Sequence, residues 1–103
     1  MLKYKFLLEN INQNRLIPPD MDTMVAYFSN PRNKSVTRIN GRGLLRYLVS
    51  LRGQTLVGIN HHDVSKAAVR IWIDLTSNEK AVYTSLSDQI KRIIMQNNNN
   101  RQI

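Results

Sequence analysis

The sequence predicts an all-α fold, and three observations carry that prediction. Val64, Ala68, Ile71, Trp72 and Leu75 recur at i, i+4, i+7, i+8 and i+11, the spacing of one helical face. Thr76-Ser77-Asn78-Glu79 has the form of a capping box, and beyond it Val82, Tyr83, Leu86, Ile90, Ile93 and Ile94 line one side of a further helix. Leu44, Leu48 and Leu51 repeat at i, i+4 and i+7 in an earlier segment. No region is rich in strand patterning, and no internal repeat is present.

The elements follow in order. Residues 1–16 carry a short, irregular helical pattern that Ile17-Pro18-Pro19-Asp20 interrupts, because proline lacks the amide hydrogen a helix interior needs. Asp20 is placed to cap a short helix through Met21-Asp22-Thr23-Met24-Val25-Ala26-Tyr27-Phe28. Ser29 to Ser35 reads as a polar linker, with Pro31 favouring an extended or turn geometry. Val36 to Asn40 alternates and reads as an extended lead-in. A helix then starts near Gly41 to Gly43; Gly53 weakens it and Gly58 is placed to stop it. Asn60 caps the next helix, with Asp63 at the positive end of its dipole. The last helix is expected to give way to a polar tail over residues 97–103, whose composition cannot bury apolar surface. The resulting organisation is an extension and linker over 1–35, a domain over 36–96, and the tail.

At 103 residues the chain supports one modest core. It has no cysteine, so neither a disulfide framework nor a thiolate metal site. No apolar run approaches membrane-spanning length, and Phe6-Leu7-Leu8 is too short for a secretory h-region; a mitochondrial presequence stays open. The net charge is +8, and its distribution is uneven. Residues 1–30 balance, whereas residues 31–70 hold eight basic residues, six of them arginine, against Asp63 alone. A localised arginine-rich stretch favours a polyanionic partner, nucleic acid before an acidic membrane surface.

No catalytic constellation accompanies this charge. Adjacent histidines on a helix point about 100 degrees apart, so His61 and His62 do not readily share a metal. Ile39-Asn40-Gly41-Arg42-Gly43 lacks the context of a phosphate loop, and Ser65 has no base in sequence reach. The chain is therefore expected to be no enzyme and to use neither a metal nor a cofactor. Asn33-Lys34-Ser35 matches a glycosylation sequon, which without a secretion signal reads as chance.

The spacing from Val64 onward resembles that of the HMG box, a three-helix, L-shaped, DNA-bending domain. Val64-Ser65-Lys66 is followed by Trp72 seven residues after Ser65, then by Leu75-Thr76. Lys80 lies eight residues after Trp72, Tyr83 three further on, and Lys91 eight beyond that. The match needs no gap from Val64 to Lys91, and the resemblance covers residues 36–96. It is weaker in the first helix, where Ile39 stands in place of the family's proline. There Asn40 can be set on the family's base-contacting asparagine. Alternatively Leu44 and Leu45 can be set on its intercalating pair, with Tyr47 on its core aromatic. The second placement keeps the wedge bulky and apolar.

The resemblance implies minor-groove binding to double-stranded DNA by a monomer, with an apolar side chain pushed between base pairs. Unstacking costs on the order of a few kcal/mol, offset by phosphate contacts. It places Arg38, Asn40, Arg42, Leu44, Leu45, Arg46, Arg52, His61, His62, Val64, Ser65, Lys66 and Arg70 on the DNA, with Leu44 and Leu45 as wedge or core. A polar His61 leans towards a single wedge and a sequence-preferring box. Trp72, Tyr83, Leu86 and Ile90 are expected in the core, Trp72 holding the angle between the arms. Small single-box proteins of this composition resemble fungal mating-type regulators of transcription, which implies a nuclear location, with a mitochondrial packaging box as the alternative. The N-terminal extension is then a place for a protein partner.

Two further readings remain open. Asp63 to Trp72 could instead enter a major groove as a helix-turn-helix element, and the basic face could be incidental to a protein-interaction module.

Overall fold

The computed structural model describes residues 3–30 and 39–101, with side chains described as far as Asn97. Among these residues all regular secondary structure is helical: α1 (Lys3–Gln13), α2 (Met21–Ser29), α3 (Gly41–Gln54), α4 (His61–Asp74) and α5 (Ser77–Arg101). The expected extended lead-in lies outside the described residues at 36–38, as does Arg38. Its last two residues are described: Ile39 packs partly buried, and Asn40 caps α3.

The helix starts follow the local chemistry read from the sequence. The Asp20 carboxylate accepts from the Thr23 amide at 2.8 Å, and the Asn40 side chain from the Gly43 amide at 2.7 Å. Asn60 and Asp63 form a reciprocal capping box, at 3.0 Å and 3.1 Å. Thr76 and Glu79 form a second, at 3.1 Å and 2.9 Å. Each box satisfies two amides that a helix start leaves without intrahelical partners. Between α3 and α4 the chain reverses through Gly58 at φ 80°, a left-handed conformation that a Cβ would strain.

Helix α3 lies at the centre, because it is apolar on two sides. Leu45 and Val49 point into one core with Val64, Ala67 and Ala68 of α4 and Leu7 and Ile11 of α1. Leu44, Tyr47 and Leu48 point into a second core with Ile90 of α5 and Met24 and Phe28 of α2. Tyr27, Phe28 and Tyr47 form an aromatic group there, with Phe28 edge-on to Tyr47 at 5.3 Å between ring centres. The division expected between an extension over 1–35 and a domain over 36–96 is therefore not a division in the packing. Helix α1 completes one core and α2 the other. The few apolar residues on α4 and α5 cannot bury α3 on both sides alone, which is the physical reason.

The polar tail is also revised. Helix α5 runs on to Arg101, past the start of the tail at residue 97. A helix satisfies its backbone groups internally, so it can outlast its apolar stripe. At 25 residues α5 is roughly 38 Å long. Val82, expected on the buried side of this helix, is 66% exposed. Ser87 is buried within it and donates to the Thr84 carbonyl at 2.8 Å.

Candidate nucleic-acid interface

Trp72 stands where α3, α4 and α5 meet. It packs against the α1–α3–α4 core, and the Lys80 ammonium lies 5.6 Å from its ring centre. The first residue of α3 reaches this corner: a Cβ on Gly41 would fall 2.8 Å from Thr84 Oγ1 and 3.0 Å from Trp72 Cη2. Any side chain there would force the corner to shift.

Helix α4 rises between α3 and α1. Its Val64, Ala67 and Ala68 face inward, and exposed Val69, with half-buried Ser65 one turn before it, forms the crest between two hollows. On the α3 side of that crest is a groove of about 260 Å³ lined by Arg42, Arg46, Ser65, Ala68, Val69 and Trp72. The Arg46 guanidinium donates to Ser65 Oγ at 3.1 Å and 3.4 Å, joining the two walls. On the α1 side is a shallower depression of about 480 Å³ lined by Tyr4, Ser65, Lys66, Val69, Arg70 and Ile73. Ser65 and Val69 line both hollows. The crest therefore carries an arginine pair on one flank and Lys66 with Arg70 on the other. Arg70 also approaches Asp74 at 3.6 Å, but both side chains are well exposed, so this pair is weak. Val69 is 51% exposed and Ile73 61%, and both are apolar side chains on this cationic surface.

The structure thus gathers Arg42, Arg46, Ser65, Lys66 and Arg70. His61 and His62 lie exposed at the start of α4, their rings 4.4 Å apart. Five other expected positions lie away from this surface or are otherwise engaged. Leu44 and Leu45 are each fully buried, one in each core, so neither is free to enter a base step. Val64 is buried at the α3–α4 contact. Arg52 turns away from the crest to α1, where its guanidinium donates to Asn10 Oδ1 at 2.9 Å and to the carbonyls of Asn14 at 2.7 Å and Arg15 at 3.0 Å. Asn40 is exposed, with its side-chain oxygen engaged in the cap of α3.

Two elements of the surface escaped the sequence. Val69 had a signal: it is an apolar residue off the buried stripe of its own helix, four residues from Ser65. Tyr4 had none, because only the packing of α1 brings it to α4. Among the described residues no three metal-ligating side chains gather, and no helix is long and apolar enough to cross a membrane. The chain matches no protein-family model, no curated protein and no solved structure.

Proposed function

We propose that this protein binds double-stranded DNA with the outer face of α4, in the manner of an HMG-box-like architectural or regulatory protein. The observation that supports this best is the crest of Ser65 and Val69 with cations on both flanks. A duplex groove is bounded by two phosphate strands, and a ridge with a cationic rail on either side is complementary to that shape. Arg42 and Arg46 face one strand, Lys66 and Arg70 the other. Val69 is the apolar side chain at the top of the crest. It takes the wedge role in this reading, unstacking a base step and bending the duplex.

The L shape is part of the same proposal. Helices α4 and α5 are joined through Leu75 and Thr76 alone; the buried residues of α4 lie in one core on α3 and Ile90 of α5 in the other, with Tyr83 packed against both. Two arms meeting at Trp72 account for that arrangement. Nuclear function in transcription, as for a mating-type-like regulator, fits this reading.

The test is binding to short duplexes over a range of salt concentrations, read by fluorescence anisotropy. Phosphate contact requires log affinity to fall linearly with log salt, and loss of one contact lowers the slope by about 1. The Arg42→Ala, Arg46→Ala and Arg70→Ala variants are each expected to lower it. Absence of binding by the unmodified protein at low salt overturns the proposal.

A further inference from the structure

The depression on the α1 side of the crest is built from two distant parts of the chain. Tyr4 comes from the first turn of α1, and Ser65, Lys66, Val69, Arg70 and Ile73 come from α4. The Lys66 ammonium lies 5.6 Å from the centre of the Tyr4 ring, within range of attraction to its face. Lys66 is exposed, while Tyr4 is half-buried. Tyr4 is held there by its own helix: Leu7 and Ile11 are buried in the core, and Arg52 holds the far end of α1. The ring is thus a fixed object and the lysine a mobile one. A lysine left free in solvent samples many rotamers, and ordering it on contact with a phosphate opposes binding.

We infer that α1 belongs to the nucleic-acid interface, and that Tyr4 is a positioning residue that pre-orders the Lys66 ammonium against the phosphate strand on that flank of α4. The inference rests on the DNA-binding reading above. It gives the N-terminal segment a task that charge alone does not indicate, since residues 1–30 are neutral in sum. The aromatic face is the effective part, so the phenolic hydroxyl is dispensable.

The experiment compares the full chain with Tyr4→Phe, Tyr4→Leu, Lys66→Ala and the double variant Tyr4→Leu/Lys66→Ala, on one short duplex. Tyr4→Phe is expected to bind as the unmodified protein does. Tyr4→Leu is expected to weaken binding about two- to fivefold, the range of an exposed cation–π contact. In the Lys66→Ala background the Tyr4→Leu change is expected to have no further effect. Circular dichroism melting checks that Tyr4→Leu leaves the fold intact. In the free protein, the Lys66 ε-methylene protons are expected upfield under the ring current, and to return to ordinary values in Tyr4→Leu. The inference is overturned if Tyr4→Leu binds like the unmodified protein, if its effect persists undiminished in the Lys66→Ala background, or if no ring-current shift is present. Failure of the unmodified protein to bind any duplex overturns the DNA-binding reading itself, and the free-protein spectrum still decides whether Tyr4 orders Lys66.

Discussion

Arg52 donates to the Asn14 carbonyl oxygen at 2.7 Å, a bond that reaches back across 38 residues and ties the end of α3 to the end of α1. The same guanidinium reaches Asn10 Oδ1 and the Arg15 carbonyl. These acceptors lie in and just beyond the last turn of α1, where carbonyls have lost their helical partners and the dipole is negative. Charge-assisted bonds of this kind are stronger than neutral ones. Arg52→Ala is therefore expected to lower unfolding stability by about 1–3 kcal/mol, measured by urea denaturation. Lysine lacks the planar fork, so Arg52→Lys is expected to recover only part of it. Arg52→Ala should leave the salt dependence of DNA affinity unchanged, which separates it from the arginines beside the crest.

Gly41 sits where a side chain has no room. A Cβ would meet Thr84 Oγ1 at 2.8 Å, Trp72 Cη2 at 3.0 Å and the Thr84 amide nitrogen at 3.2 Å. Gly41→Ala is expected to destabilise by about 1–3 kcal/mol through overpacking at the corner. Its tryptophan emission should shift as Trp72 moves. Thr84→Ala in the same chain removes the hydroxyl clash but leaves the backbone and Trp72 contacts. It should restore the melting temperature only in part.

The helix boundaries were legible because caps are local. Asp20, Asn60 and the Thr76–Glu79 pair each act over three residues, and each is where its sequence places it. The faces of α3 were not legible. Leu44 and Leu45 are neighbours, so their side chains point about 100 degrees apart, which suits a wedge pair as well as two separate cores. What decides between them is α2, which covers Leu44, and α1, which covers Leu45. Both helices come from the segment whose local pattern was weakest or most easily read as an appendage. The place of Arg52 was hidden for the same reason: charge marks an arginine as available for phosphate, and only the fold brings the end of α1 to it.

The Thr76–Glu79 box makes stability depend on pH. Hydrogen bonds from the Thr76 amide and then its side chain hold the Glu79 carboxyl below its ordinary value of 4.5, with Arg15 adding to the effect. A depressed carboxyl value in the folded state means that the unfolded chain binds the proton more readily. The stabilisation is thus fully present above the unfolded value of 4.5 and is lost as pH falls through the lower folded value. Asp20, held down by its bonds from Thr23, acts in the same direction from an ordinary value of 3.8. Melting temperature is expected to fall on acidification below about pH 4.5. The fall should be smaller in Glu79→Gln, which keeps an acceptor but has no proton to gain in this range. An equal fall in both proteins removes Glu79 as a source.

Core and crest are separable by substitution. Leu44→Ala and Leu45→Ala each remove a fully buried side chain and are expected to cost about 2–5 kcal/mol of stability. Val69 is half exposed and touches no core, so Val69→Ala should change stability by no more than about 0.5 kcal/mol. If the crest enters a duplex groove, Val69→Ala should nevertheless reduce the bend angle in a circular-permutation assay. The salt slope of binding should be retained, because no phosphate contact is removed. A bend that survives Val69→Ala but falls in a still-folded Leu44→Ala or Leu45→Ala protein would return the wedge to α3, and with it require that α1 or α2 lift from α3 on binding.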